Sequence, residues 1–334
     1  MKKAAIHNLG CKVNAYESEA MKQLLIKAGY EIVPFSEIAD VYIVNTCSVT
    51  NIADRKSRQM LHKAKKQNPQ AVVVAAGCYV QTSTTKAETD ETIDLIIGNN
   101  KKKDIVEILQ TYFKYQKIKK NNADINCWEI KNNVIDINHT AEYEDLEIST
   151  VTEHTRAHLK IQDGCNNFCS YCIIPYARGR IRSRKADKII KEITSLANQG
   201  FMEVVLSGIN LSSYRDGEKT LVDVIERVAE IPGILRIRLG SLDPEIITRE
   251  FVKRIAKVEK ICPHFHLSLQ SGCDKILKAM NRHYTTDEFL NRCNLIRQYF
   301  DEVALTTDII VGFPGETDDD FETTKEFVKK NKIC

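Results

Sequence analysis

Short apolar runs alternate with amphipathic segments in the first third of this chain, and this alternation limits the folds that it can adopt. Such alternation is typical of a parallel sheet that is covered by helices on both faces. The sequence therefore predicts an α/β domain with a flavodoxin-like parallel sheet over residues 1–118. Its strands are predicted at 4–9, 41–44, 72–76 and 95–97, and its helices at about 16–28 and 53–67.

The same alternation returns in the last half of the chain. A repeated βα pattern predicts a full or partial βα barrel, whose functional site lies at the carboxyl ends of the strands. We expect this second domain at 151–334, after a linker at 119–150 that contains a short strand or two. The strands are predicted at 158–162, 203–206, 235–239, 265–269 and 303–311, and the helices at about 185–198, 221–230, 244–256, 287–297 and 319–330. Five strands without a closing element indicate an open barrel or a missing C-terminus.

Three cysteines, Cys165, Cys169 and Cys172, lie in the loop that follows the first strand of the second domain. Their C-x3-C-x2-C spacing supplies three thiolates, whereas a structural zinc site or a closed iron–sulfur cluster uses four ligands. A site with three protein ligands keeps one coordination position open, and a reacting molecule can bind there. The loop therefore predicts metal-dependent chemistry.

Three further cysteines, Cys11, Cys47 and Cys78, each follow a predicted strand of the first domain. The carboxyl ends of parallel strands lie at one edge of a sheet, so these thiols can converge there, close to helix N-termini that favour anionic sulfur. The plainer interpretation is three buried structural thiols, because free cysteine is often buried. Their occurrence in successive βαβ units favours a second three-ligand metal site. Cys127 has no partner at a useful spacing and is interpreted as an unliganded thiol.

Composition narrows the class of protein further. The chain has 11 cysteines and a net charge of +3, which is too small to indicate a nucleic-acid partner by itself. Neither a secretory signal nor an apolar run long enough for a membrane helix is present, so we expect no membrane partner. Many cysteines in an unexported chain indicate a reducing compartment, and we expect the protein in the cytoplasm.

Four arginines alternate directly after the three-cysteine loop. In an extended segment this alternation places all four side chains on one face, and arginine is suited to bidentate contacts with phosphate. Two interpretations explain this pattern equally well: an RNA contact surface and a solvated charged rim. The residues are Arg178, Arg180, Arg182 and Arg184.

Together these features resemble the radical S-adenosylmethionine superfamily, whose marker is the C-x3-C-x2-C loop. The stretches Asn-Leu-Gly-Cys-Lys-Val-Asn around Cys11, Asn-Thr-Cys-Ser-Val-Thr around Cys47 and Ala-Gly-Cys at Cys78 are similar to the three cysteine motifs of its methylthiotransferase members. Residues 176–180 and 206–210 also resemble that family, so the resemblance covers essentially the whole chain. The residues around Cys11 and Cys47 are most similar to the threonylcarbamoyladenosine branch.

The resemblance implies two 4Fe–4S clusters. The cluster on Cys165, Cys169 and Cys172 would bind S-adenosylmethionine and yield a 5′-deoxyadenosyl radical. The cluster on the first three cysteines would carry the sulfur, which a second S-adenosylmethionine methylates. The implied reaction adds a methylthio group to C2 of N6-threonylcarbamoyladenosine next to the tRNA anticodon. Its implied partners are tRNA and an electron donor such as flavodoxin or ferredoxin.

Polar and small residues at the strand ends of the second domain are our candidates for the S-adenosylmethionine pocket. Glycine at such positions lets a ligand approach the backbone closely, although each residue alone fits an ordinary βα turn. The candidates are Gly208, Asn210, Ser241, Ser268, Gln270 and Asp308. Relatives usually continue into a small RNA-binding TRAM domain, and we expect this chain to lack it.

Other functions compete with this assignment. Within the family, the substrate can instead be isopentenyladenosine in tRNA or an aspartate of a ribosomal protein. A cobalamin-dependent radical methylase also pairs two such domains, but its D-x-H-x-x-G pattern is absent and it leaves three cysteines unexplained. A two-cluster electron carrier usually completes each cluster with four cysteines. A structural zinc module is the remaining alternative, and brown colour with labile sulfide would exclude it.

Overall fold

The computed structural model describes residues 1–119, 128–149 and 156–333, so Cys127 and Cys334 lie outside the described residues. The described residues form two compact units. The first contains those up to Ser149 together with Ile173–Arg180, and the second contains the remainder. The described part of the predicted linker therefore belongs to the first unit, where Leu146 and Ile148 are buried.

The first unit is built on one sheet of six parallel strands. Its order is β2-β1-β3-β4-β5-β6, with β1 between β2 and β3, so the winding direction reverses at β1. In a doubly wound sheet, ligands bind outside the carboxyl ends of the strands at this reversal. The strands are β1 (Lys3–Asn8), β2 (Glu31–Ile32), β3 (Val41–Thr46), β4 (Val72–Gly77), β5 (Leu95–Ile97) and β6 (Asn132–Asn133).

Helices cover both faces of this sheet, as the continuous apolar runs of β3 and β4 predict. On β3, Tyr42 and Val44 face one apolar cluster, whereas Val41 and Ile43 face the other. Each fully buried side chain of this size contributes about 1.5–3 kcal/mol. The helices are α1 (Lys12–Lys27), α2 (Asn51–Gln67), α3 (Cys78–Thr82), α4 (Thr84–Glu88), α5 (Ile105–Lys119), α6 (Trp128–Lys131) and α7 (Ile174–Arg178).

The second unit contains the predicted βα repeat. Strands β7, β10 and β13 form one parallel sheet, and β14 and β15 form another. Single parallel bridges at Ile237–Ile261 and Leu242–Leu267 join the two sheets, so that the five strands lie side by side in chain order. This is a partial βα barrel. Its strands are β7 (Ala157–Lys160), β8 (Gln162–Asp163), β9 (Arg182–Ser183), β10 (Glu203–Ser207), β11 (Arg215–Asp216), β12 (Lys219–Thr220), β13 (Arg236–Leu239), β14 (His264–His266) and β15 (Ala304–Thr306).

The helices of this unit follow the prediction with two differences. The predicted helix at 244–256 is interrupted, because Thr248 accepts a hydrogen bond from Phe251 N at 3.2 Å and thereby begins a new helix. Helix α11 was not predicted. The helices are α8 (Ala186–Asn198), α9 (Leu221–Ala229), α10 (Arg249–Ile255), α11 (Asp274–Ala279), α12 (Thr286–Arg297) and α13 (Asp318–Lys330). Within the described ranges, the chain has no helix of the length and hydropathy that a bilayer span requires.

Gly179 tests how the segment Ile173–Arg180 is held in the first unit. Its φ is +69°, and an added Cβ would overlap the backbone carbonyl of Ile137. Gly29 has a φ of +86° with no atom within 4 Å of an added Cβ, so it is the matched control. In urea unfolding, we expect Gly29→Ala to lose about 1–2 kcal/mol, the cost of left-handed backbone. Gly179→Ala should lose about 1–3 kcal/mol more, because the added Cβ overlaps the Ile137 carbonyl and because a φ of +69° with a ψ of −156° is a conformation that essentially only glycine adopts. Equal losses would contradict this packing.

Candidate functional site

The three cysteines of the first unit lie at the carboxyl ends of three adjacent strands. Cys11 follows β1, Cys47 follows β3 and Cys78 follows β4, and these strands are neighbours in the sheet. Cys47 and Cys78 are buried, whereas Cys11 is exposed at the N-terminus of α1. Gly10 permits a close approach, because a Cβ at this position would lie 3.0 Å from Cys47 Sγ. The structure therefore places these thiols at the edge that the sequence predicted.

The thiol of Cys47 is affected electrostatically by the other two cysteines of this set. Burial raises the pKa of Cys47, the backbone at Val49 lowers it, and the neighbouring Cys78 and Cys11 raise it. Asn99 Nδ2 points at Cys78 Sγ from 3.7 Å. Metal ligation requires thiolates and displaces the thiol protons, so a cation here would offset the effect of burial.

A buried charged network lies in the same unit beside these cysteines. The Glu17 carboxylate accepts a hydrogen bond from Arg178 Nη1 at 2.5 Å and forms an ion pair with Lys102. Arg178 also donates to Asn14, and Lys102 donates to Asn99 Oδ1 at 2.8 Å. All five side chains are at most 1% exposed. Within this network, the charge of Arg178 lowers the pKa of Cys47.

The expectation that the four alternating arginines share one exposed face is wrong. Arg178 pairs with Glu17, Arg182 lies 3.7 Å from Asp163 Oδ2, and Arg184 pairs with Glu192. These three arginines are buried, and only Arg180 is exposed. The alternation argument assumed an extended chain, but residues up to Arg178 form helix α7. Glu192 lies only eight residues from its arginine in the sequence, whereas Glu17 and Asp163 belong to other segments of the chain.

The second cysteine set lies in the loop after β7 and β8 in the second unit. Cys165, Cys169 and Cys172 are all partly exposed, and a turn joins the last two through a bond from Cys172 N to Cys169 O at 2.9 Å. Burial raises the pKa of the Cys165 thiol, whereas hydrogen bonds from the Asn167 backbone and the Asn210 side chain lower it. Asn167 N lies 3.5 Å, and Asn210 Nδ2 3.8 Å, from Cys165 Sγ. N–H donors that point at a sulfur stabilise its thiolate form, which is the form that binds metal.

Residues at the end of α11 anchor this loop, and sequence reasoning missed them. Ser170 Oγ donates to Ala279 O at 2.9 Å. Asn281 Nδ2 donates to the carbonyl of Asn167 at 3.2 Å and to that of Phe168 at 3.1 Å. Phe168 has a φ of +48°, so these bonds hold a backbone conformation that non-glycine residues rarely adopt. The run Asn281-Arg282 carried no spacing signal, because its partner loop lies more than 100 residues earlier.

Neither cysteine set has the geometry of a site for a single metal ion. In the parts of the chain that the structure describes, no three His, Cys, Asp or Glu side chains are arranged so that they could hold one metal ion together. A cubane binds its cysteines through three different irons, so its ligands stand farther apart than those of a single ion. The chemistry of the donors suits an iron–sulfur cluster, because each set offers three cysteines outside disulfides and has polar N–H donors beside its sulfurs.

The structure brings some of the six pocket candidates together and separates others. Asn210 lies beside Cys165 and lines a cavity of about 480 Å³ together with Asn167 and Asp243. Gly208 lies against Gln162, since a Cβ on the glycine would come within 2.9 Å of it. Ser268 contributes its carbonyl to Arg282 at 3.2 Å. Of the six candidates, Asn210 alone lines this cavity. Elsewhere in the unit, Gln270 N donates to Asp308 O at 3.0 Å, and Ser241 lies outside the lining.

Comparison with known families divides the chain at a similar place. Residues 159–328 match the radical SAM superfamily. Residues 3–98 match a family described as uncharacterized protein family UPF0004. The first match contains all three cysteines of the loop, and the second contains the three strand-end cysteines.

Named relatives extend over nearly the whole chain. The threonylcarbamoyladenosine tRNA methylthiotransferase MtaB of Bacillus subtilis is 39% identical over 336 residues, which are 100% of this chain and 72% of the relative. The protein of the same name from Aquifex aeolicus is 40% identical and covers 99% of this chain and 78% of the relative. The tRNA-2-methylthio-N(6)-dimethylallyladenosine synthase of Carboxydothermus hydrogenoformans is 36% identical, over 96% of this chain and 72% of the relative.

Solved structures share the fold at low sequence identity. The radical S-adenosylmethionine methyltransferase TsrM from Kitasatospora setae superposes with a TM-score of 0.71 at 15% identity, over 99% of this chain and 72% of TsrM. The cobalamin-dependent S-adenosylmethionine radical enzyme OxsB superposes with a TM-score of 0.64 at 12% identity, over 98% of this chain and 52% of OxsB. These likenesses concern the fold alone.

Arg178 and Arg180 form a matched pair for testing the buried network. We expect Arg178→Ala to lower the free energy of unfolding by about 3–5 kcal/mol, because it removes one partner of a buried ion pair and leaves Glu17 with less compensation. Arg180→Ala should stay within about 0.5 kcal/mol, because that side chain is exposed. Urea titration measures both. A loss for Arg178→Ala no larger than that for Arg180→Ala would contradict the burial of Arg178.

Proposed function

The chain belongs to the radical S-adenosylmethionine tRNA methylthiotransferases, and from this premise we propose that it adds a methylthio group to C2 of N6-threonylcarbamoyladenosine next to the tRNA anticodon. One observation carries the proposal: relatives named for this reaction are 39–40% identical over essentially the whole chain. The presence of three cysteines at a strand-end edge in each unit supports it, because the reaction needs both radical formation and a source of sulfur.

Cys165, Cys169 and Cys172 are the residues that would hold the radical cluster. When bound, a 4Fe–4S cluster with S-adenosylmethionine at its open iron supplies a radical that removes hydrogen from an unactivated carbon. The protein's part is to shape and orient this loop. Asn281 fixes its backbone, and Asn210, which lines the cavity, contacts Cys165.

Cys11, Cys47 and Cys78 would hold the second cluster, which serves sulfur delivery in this proposal. Their position at the winding reversal of the first sheet supports the assignment, because ligands of doubly wound folds bind at that edge. The positive charge of Arg178 and Lys102 also favours an anionic group beside these residues. Asn99 directs an amide donor at Cys78 Sγ.

We propose all six candidates for the S-adenosylmethionine pocket, but the contacts that support them differ. Gly208 and Asn210 have the strongest support, because both lie against the segment that carries the cysteine loop. Ser268 follows through its contact with Arg282. The remaining three candidates, Ser241, Gln270 and Asp308, rest on their positions at or near strand ends.

The partners follow from the chemistry. The substrate is tRNA, and Arg180 is the arginine of the original four that is exposed enough to contact its phosphates. An electron donor such as flavodoxin or ferredoxin would supply the electron that radical formation consumes. Thiolate-bound clusters need a reducing compartment, so we place the reaction in the cytoplasm.

A second candidate substrate is isopentenyladenosine in tRNA. The 36% identity to a synthase named for a dimethylallyladenosine product supports it less than the 39–40% identities support the first. The two substrates differ at the N6 substituent, so digestion of the modified tRNA to nucleosides separates them by mass.

Anaerobic reconstitution with reductant, S-adenosylmethionine and tRNA tests the roles of the two cysteine sets. We expect the unaltered chain to form both 5′-deoxyadenosine and the methylthio nucleoside. Cys165→Ala should form neither product, because the radical cluster loses a ligand. Cys47→Ala should still form 5′-deoxyadenosine but lose sulfur insertion, because only the sulfur-delivering set is broken. Liquid chromatography with mass detection measures both products.

Cys273→Ser provides the control, because Cys273 is a partly exposed thiol outside both sets. It should retain both products near the level of the unaltered chain. If Cys165→Ala leaves 5′-deoxyadenosine formation intact, the radical role of the loop is wrong. If Cys47→Ala retains insertion, the sulfur does not come from the strand-end cysteines.

A further inference from the structure

Arg282 lies beside the cysteine loop of the second unit, and none of the roles described above uses its charge. Its Nη1 is 3.3 Å from Cys169 Sγ, and Nη2 is 3.2 Å from both Asp243 Oδ2 and Ser268 O. Its Nε donates to Tyr284 OH at 2.9 Å. All three guanidinium nitrogens therefore have partners, and one partner is a sulfur of the proposed radical cluster.

The surroundings hold this guanidinium in one orientation. Its side chain is 6% exposed and that of Asp243 is 12% exposed. Asn167, in the cysteine loop itself, donates to Asp243 Oδ2 at 3.0 Å, so the same carboxylate contacts both the loop and Arg282. Tyr284 OH also donates to the carbonyl of Leu269 at 3.0 Å and is buried. Moving Arg282 away from Cys169 would leave several buried polar groups without these bonds.

We propose that Arg282 is a positioning residue that sets the reduction potential of the cluster on Cys165, Cys169 and Cys172. This inference rests on the proposed function, because it assumes a cluster at that loop. Reduction adds one electron, and hence one negative charge, to the cluster. A fixed cation 3.3 Å from a ligand sulfur stabilises the reduced form more than the oxidised form. Arg282 thereby makes the cluster easier to reduce.

Two features distinguish this role from simple support of the loop. Arginine stays charged at every pH that the protein tolerates, so the effect is permanent. Asn281 already anchors the loop backbone through two bonds, which makes a second anchor at the sulfur unnecessary for shape. Arg292 offers a contrast, because it donates to the backbone carbonyls of Pro244 at 3.2 Å and Ile247 at 3.4 Å, and its hydrogen bonds within the described residues include no cysteine.

The test measures the potential of this cluster alone. In a full chain in which Cys11, Cys47 and Cys78 are changed to Ala, only the loop can hold a cluster, and redox titration followed by electron paramagnetic resonance gives its midpoint. We expect Arg282→Gln to lower the ratio of reduced to oxidised cluster about tenfold at the parent's midpoint, which equals 59 mV for a one-electron couple. Arg292→Gln, the matched loss of a charge, should leave the midpoint unchanged.

Asp243→Asn supplies a variant with the opposite sign. It removes a negative charge near the cluster while Arg282 stays, so the midpoint should rise. A role in loop shape alone would not move the two variants in opposite directions. If Arg282→Gln fails to assemble the cluster, Arg282→Lys, which keeps the cation, decides the proposal: a midpoint near that of the parent supports it, and a midpoint about 59 mV lower overturns it.

The inference is overturned if Arg282→Gln assembles the cluster with the parent's midpoint, or if Asp243→Asn lowers the midpoint. If the parent cleaves S-adenosylmethionine normally in either case, the proposed function stands and only the role of Arg282 is lost. If the parent itself holds no cluster, the radical role of the loop and this inference fail together.

Discussion

In a parallel sheet every strand ends at the same edge, and both cysteine sites depend on this constraint. Cys11, Cys47 and Cys78 are separated by more than 30 residues each, yet they follow three adjacent strands. The loop from Cys165 follows the first strand of the second sheet, where Asn210 from the next strand end reaches Cys165. Sulfur ligands and polar donors from distant segments thus meet because the backbone hydrogen bonds align the strand ends.

Buried cations form a common element of the two sites. In the first unit, Arg178 pairs with Glu17 and contacts Asn14. In the second, Arg282 pairs with Asp243, which Asn167 also contacts. Each arrangement combines an arginine, a carboxylate and an asparagine near cysteine sulfurs. A paired arginine can be buried at moderate cost, and it offsets the negative charge that thiolates and a cluster bring into the protein.

The sequence predicted the framework well, because strands such as β3 and β4 are apolar runs bounded by polar residues and glycine. It also located both cysteine sets, since spacing along the chain maps onto strand ends. It failed for Arg178, Arg182 and Arg184, because burial that depends on pairing with a carboxylate of another element leaves no pattern in the arginines themselves. Arg282 was missed for the same reason. Short elements such as β8 and α11 carry too few residues for a periodic signal.

The most direct test of two separate cluster sites is the iron and labile sulfide content of two triple variants after anaerobic reconstitution. One changes Cys11, Cys47 and Cys78 to Ala, and the other changes Cys165, Cys169 and Cys172 to Ala. Each should keep about half of the iron and sulfide of the unaltered chain, since three cysteines bind one cluster. Only the variant that keeps the loop should change its electron paramagnetic resonance spectrum when S-adenosylmethionine is added. A variant that loses all of its iron, or a response to S-adenosylmethionine in the variant without the loop, would contradict the account.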